Sequence, residues 1–193
     1  LVTIKQMLSH RPGTKTFQGD FAFGDGNLSR SDMMQRMRTL KPNGLFRQDF
    51  GYCNSCFLTA GEIIPKVSGK PWEVYVYDSI IVPLGMRNTH ALTNGIEQRH
   101  NVSRPYTTAF SGQLQELPYD QVDNLGPAGS MLSNVKDLSR WLIMQLDSGR
   151  YDGKRVFPWP VIRRTRDMST VMSSRRSNVY PTHYSGYGLG VFM

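Results

Sequence analysis

Cysteine, histidine and long apolar runs are scarce in this 193-residue chain, and each scarcity removes a class of function. Its two cysteines, Cys53 and Cys56, form a single Cys-x-x-Cys. Structural zinc takes four ligands, yet no second cysteine pair exists and the four histidines, His10, His90, His100 and His183, are scattered. The thiols are therefore expected to be free and largely buried. No stretch approaches the roughly 18 apolar residues that a bilayer-spanning helix requires. Asp20 and Asp25 flank a glycine-rich loop but lack the oxygen spacing and closing glutamate of a calcium loop. Neither a metal nor a cofactor is expected.

Negative charge is also short, with 15 acidic against 23 basic residues and a net charge of +8. Such an excess suits nucleic acid or an anionic surface when the cations cluster. Here they are spread out, densest between Arg36 and Lys41, at Arg163, Arg164 and Arg166, and at Arg175 and Arg176. No stacking aromatics interleave with them as in a nucleic-acid module, so no nucleic-acid partner is expected. No internal repeat or low-complexity tract is present.

What remains is enough for one sizeable core, read as a single domain over residues 1–193. Thr3 caps a short helix that ends before His10 and is broken by Pro12-Gly13. Residues 14–29 form a loop. Ser31 opens a second helix, with Met33, Met34, Met37 and Leu40 as a packing stripe and Pro42-Asn-Gly44 as its stop. A buried helix starts near Ser55 and ends at Gly69, with Pro65 expected to kink or shorten it near Glu62. Residues 72–81 carry β-branched and aromatic residues that favour a strand. Residues 87–125 read as loops with one or two small hairpins, 134–147 as a helix with Leu138, Trp141, Leu142, Met144 and Leu146 on a broad apolar face, 157–173 as a short helix, and 174–186 as a polar loop.

The most specific segment is Tyr52-Cys53-Asn54, set inside Phe50-Gly-Tyr-Cys-Asn-Ser-Cys-Phe-Leu-Thr-Ala-Gly-Glu-Ile-Ile64 and followed by Val67-Ser-Gly-Lys70. It resembles the Tyr-x-Asn element of serine hydrolases built like class C β-lactamases and penicillin-binding proteins. His10-x-x-Gly13 after a short helix, Pro83-Leu-Gly-Met86 with Thr89, Ala128-Gly-Ser-Met-Leu-Ser133 leading into Asp137-Leu-Ser-Arg-Trp141, and Tyr187-Gly-Leu-Gly190 occur in that family's order. The resemblance thus covers nearly the whole chain and favours a helix over residues 72–81.

By the same resemblance, the nucleophile is the serine of a Ser-x-x-Lys lying before Leu1, and a Lys-Thr-Gly or His-x-Gly strand lies after Met193. The literal match Ser133-Asn-Val-Lys136 aligns instead with a non-catalytic helix start, with Ser133 as N-cap and the helix running from Asn134. Leu1 is not Met and the last residues read as a strand without a following turn, so the segment is taken as part of a longer chain. The implied fold is mainly α with small β-hairpins: the helical region of the β-lactamase/transpeptidase-like fold, lacking most of the central sheet, with the first strand of the returning sheet near 186–193.

The implied site residues are Tyr52 and Asn54. A phenol ionises near pH 10, so its use as a base near neutrality needs roughly 4 kcal/mol of help from cations, which the resemblance places on the Ser-x-x-Lys lysine and the following strand. Asn54 would bond the substrate's amide or ester and steady that lysine, its amide both donating and accepting. The implied substrate is a β-lactam, a D-Ala-D-Ala peptide or a small ester, chosen by loops 14–29 and 104–125. The implied partners are that substrate and the remainder of the parent chain; the isolated segment is expected to self-associate and to be inactive alone. The implied location is the periplasm, cell envelope or exterior. The alternative is an inactive binding or scaffold domain derived from the same fold.

Overall fold

Capping boxes start the first two helices. In α1 (Ile4–Leu8) the Thr3 hydroxyl accepts the Gln6 N–H, the cap expected from sequence, and the Gln6 side chain returns to the Thr3 N–H. In α2 (Arg30–Met37) Ser29 and Asp32 do the same, so the helix begins one residue earlier than the Ser31 start read from sequence. The computed structural model describes residues 1–23, 26–173, 179 and 182–193. Asp25, Arg175, Arg176 and much of the 174–186 loop lie outside the described residues.

The central helix divides as Pro65 requires. α3 (Asn54–Gly61) closes at Glu62, and α4 (Ile64–Ser68) carries the proline in its first turn, where no N–H is missed, and ends at Gly69 with φ +71°. Gly61 is where α3 meets α6 (Gly126–Gly129): a Cβ there would sit 2.2 Å from Pro127 Cβ. Residues 72–81 are helical despite their β-favouring composition. α5 (Trp72–Val76) runs into a π turn over Tyr77–Ile81, closed by the Val82 N–H on the Tyr77 carbonyl at 2.9 Å. Packing decides the matter, because Trp72, Val76 and Ile81 enter one buried cluster with Leu84, Met86, Met144 and Ile162. A second cluster joins Phe23 and Met33 to Leu58 of α3 with Met34 packed against it, so of the stripe read from sequence Met33 and Met34 enter this cluster and Met37 and Leu40 do not.

The strands pair two by two among the described residues. β1 (Tyr106–Thr107) and β2 (Gln115–Glu116) form the expected small hairpin. A second hairpin, β3 (Arg150–Tyr151) with β4 (Lys154–Arg155), was not foreseen. α7 (Val135–Leu146) is capped by Asn134, whose side chain accepts the Asp137 N–H; this corrects the Ser133 cap, since Ser133 instead shares a 2.8 Å hydroxyl bond with Thr89. Of its apolar residues Met144 is buried and Trp141 packs against the core, whereas Val135, Leu138, Leu142 and Leu146 are exposed. α8 covers only Trp159–Arg166, and β5 (Thr170–Met172) replaces the end of the helix read over 157–173. β5 pairs antiparallel with β6 (Ser185–Tyr187), which takes the last residues of the 174–186 loop. Thr170-Val-Met is drawn into extended form by that partner, a contact well beyond the local window that a sequence pattern does not reveal. After β6 the chain turns through Gly190 and Phe192 bridges back to Tyr187.

Candidate active site

The approach to α3 is organised by His10. This residue follows α1 with a left-handed backbone (φ +54°) and no exposed surface, and its ring lies 4.3 Å from Tyr52, 4.9 Å from Phe57, 5.0 Å from Tyr187 and 5.5 Å from Phe50, centroid to centroid. Its Nδ1 accepts the Cys53 N–H at 3.0 Å, which fixes the proton of the neutral ring on Nε2. Burial lowers the imidazole pKa to about 4, so the ring is uncharged at neutral pH. Nε2 has no hydrogen-bond partner among the described residues.

Tyr52 is thereby held on both sides. Its N–H donates to Thr16 Oγ1 at 3.2 Å, its carbonyl accepts the Phe17 N–H at 2.8 Å, and its half-buried ring lies between His10 and Phe17, 5.6 Å from the latter. The preceding Gly51 permits this approach, since a Cβ there would fall 1.8 Å from the Thr14 carbonyl oxygen. Tyr187 sits beyond His10, where burial first and the charge of a Tyr52 phenolate second push its own phenol up to about 12.

Asn54 is the first residue of α3, and its Nδ2 donates to Asp20 Oδ2 at 2.5 Å. Asp20 opens a single 3-10 turn (Asp20–Ala22) in the loop before α2. Burial raises its carboxyl pKa, and the bond from Asn54 pulls the other way. The second oxygen, Oδ1, is buried without a partner among the described residues. Cys53 and Cys56 are both free and buried one turn apart, as expected. A hydrogen bond from Cys56 holds the Cys53 thiol below the ordinary range, and the same bond, with burial, drives Cys56 upward.

The structure thus brings Tyr52 and Asn54 together with two residues that sequence reasoning did not assign to the site. His10 was read only as the exit of a helix, and Asp20 as a rejected metal ligand within the 14–29 loop to which substrate choice was assigned. A groove of about 480 Å³ opens elsewhere, between residues 97–104 and 116–119, and Tyr52 and Asn54 are not part of its wall. Part of it belongs to the 104–125 loops to which substrate choice was assigned.

The beta-lactamase family model matches residues 1–192. The chain belongs to the beta-lactamase family. Among its relatives is an unguisins hydrolase of Aspergillus campestris, 29% identical over an alignment of 192 positions that covers 94% of this chain and 33% of the relative. An octameric penicillin-binding protein homologue from Pyrococcus abyssi superposes with a TM-score of 0.77 at 24% identity, over 99% of this chain and 43% of that one. A D-stereospecific amidohydrolase from Streptomyces gives 0.74 at 24% identity, over 99% and 56%. The fold is therefore the β-lactamase/transpeptidase-like fold of this family, and the chain spans a third to about half of the length of these relatives.

Proposed function

We propose that this segment supplies the Tyr-x-Asn part of a serine hydrolase that cleaves amide or ester bonds through an acyl-enzyme. The Ser-x-x-Lys nucleophile is contributed by polypeptide outside residues 1–193. The segment is the helical region of the fold, a single partial domain that meets the family's central sheet in the complete protein, and a periplasmic or extracellular location goes with this reading. In the reaction, the serine Oγ attacks the scissile carbonyl while its proton passes to the Tyr52 oxygen. The proton is then returned to the leaving nitrogen or oxygen, and water releases the acyl group. Asn54 bonds the substrate beside that carbonyl and steadies the lysine.

The observation that carries the reading is that Tyr52 is anchored by its main chain while its ring is only half-buried on the neutral His10, with Asn54 beside it at the helix start. Family membership and the amidohydrolase activity named for the Streptomyces relative support an amide substrate. The same reading expects the isolated segment to self-associate, since the outer face of α7 is apolar and exposed; a light-scattering mass above that of one chain checks this.

The deciding experiment assays the complete polypeptide and the 193-residue segment against nitrocefin, a D-Ala-D-Ala peptide, D-amino acid amides and a p-nitrophenyl ester. Turnover by the complete polypeptide and none by the segment is expected. Inactivity of both on every substrate would instead favour an inactive binding domain.

A further inference from the structure

The Asn54 amide could in principle face either way, because its oxygen and nitrogen are similar in size. A carboxylate, however, only accepts. With Asp20 Oδ2 at 2.5 Å, the atom turned toward Asp20 must be the nitrogen. The planar amide then directs Oδ1 the other way. Asn54 is half-buried, and its Oδ1 takes no hydrogen bond among the described residues and is not one of the sealed, unpartnered polar atoms, so this oxygen keeps contact with solvent. The loop that delivers Asp20 is itself tied to the main chain of Tyr52 through the Phe17 N–H and Thr16, so tyrosine, asparagine and carboxylate are held as one unit.

We propose that Asp20 is a positioning residue for the hydrolytic reaction, fixing the Asn54 amide so that Oδ1 is presented as an acceptor to the reacting groups. The inference rests on the function proposed above and extends it. It assigns the free face of Asn54 to a donor, such as the ammonium of the nucleophile's lysine or an N–H of the substrate. Protonation of Asp20 removes the constraint, because a carboxylic acid can donate to an amide oxygen as well as accept from an amide nitrogen.

Two measurements separate this proposal from the functional reading. In the 193-residue chain, the Asn54 side-chain NH2 signals in a 15N–1H correlation spectrum are expected to move with pH as Asp20 titrates, the midpoint lying above the ordinary carboxylate range because Asp20 is partly buried. The Asp20→Asn variant is expected to lose that movement. In the complete polypeptide, Asp20→Asn is expected to lower kcat by about ten- to a hundred-fold and to remove an acidic limb from the kcat profile, with Asp20→Glu restoring part of the rate. Signals indifferent to Asp20, or an Asp20→Asn enzyme with wild-type kcat and pH profile, would overturn the proposal and leave the hydrolase reading standing. A wild-type complete polypeptide that turns over nothing would overturn the hydrolase reading and the catalytic meaning of the contact together, while the amide signals would still report whether the contact exists.

Discussion

At the start of α7, Asn134 folds its side chain back to accept the Asp137 N–H at 2.9 Å, whereas at the start of α3 the Asn54 amide turns away from the helix and donates to Asp20 at 2.5 Å. The two helices differ in how they meet their unpaired first-turn N–H groups. α7 uses a side-chain cap, while the residue before α3, Cys53, makes no side-chain capping bond and gives its own N–H to His10. A capping asparagine is consumed by the fold. An asparagine whose amide is aimed by a neighbouring carboxylate is available for chemistry, and the α3 start separately lacks the roughly 1 kcal/mol that a side-chain cap at position 53 would supply. The same contrast separates the two sequence matches to family elements: Ser133-Asn-Val-Lys136 sits at the capped helix, and Tyr52-Cys53-Asn54 at the uncapped one.

The sharpest way to break this comparison is Tyr52→Phe in the complete polypeptide. The substitution keeps the ring against His10 and Phe17 and removes only the hydroxyl. A fall in kcat of about 10²- to 10⁴-fold is expected, the range for losing a positioned acid–base group. The unfolding midpoint in urea should hardly move. Lys136→Ala, at the other match, should leave kcat unchanged. A substantial rate loss there would mean that the wrong helix start has been assigned to chemistry.

Next in size is the acid sensitivity that His10 confers on the α3 end. Its folded pKa, about 4, lies below the ordinary 6.5, so the unfolded chain takes up the proton first. Stability from this residue is fully present above pH 6.5 and drains away as pH falls toward 4, a loss of about 3 kcal/mol. The cause is burial, which penalises the charged ring; a protonated Nδ1 would in addition point its hydrogen at the Cys53 N–H, a donor against a donor. Urea titrations at pH 7 and pH 4.5 check this, and a His10→Phe variant should show less of the acid loss. An unchanged pH dependence in that variant would place the sensitivity elsewhere.

How much of this was legible in the sequence depended on how far apart the interacting residues are. Thr3, Pro65 and Gly69 act within one turn of themselves, and the helix ends they set were read correctly. Residues 72–81 were placed in a helix by resemblance against their local preference, and burial of Trp72, Val76 and Ile81 shows why preference lost. Thr170-Val-Met was misread as helix because its strand partner is near residue 186. Tyr52 and Asn54 were visible because they are two residues apart in a distinctive run. Asp20 and His10 stayed hidden because each reaches its partner across more than thirty residues, and an aspartate in a glycine-rich loop has many commoner uses.

Smaller effects test the frame that holds the site. Gly61→Ala would drive a Cβ into Pro127 where α3 crosses α6, and either the helix or the 126–129 turn must shift. The expected cost is about 1–3 kcal/mol, the range for overpacking, read as a lower urea midpoint. Because α3 carries Asn54, some loss of kcat should accompany it in the complete polypeptide.

The smallest effect decides the comparison at α7. Asn134→Ala removes the cap and should cost about 1 kcal/mol, with Asn134→Ser recovering most of it because a hydroxyl can accept the same N–H. Ser133→Ala removes only the hydroxyl bond to Thr89, whose oxygen also donates to Asp137 and so keeps a partner. Its cost should be the lesser of the two, about 0.5 kcal/mol. The reverse order would return the cap of α7 to Ser133 and show that the Asn134 side chain is dispensable at that helix start.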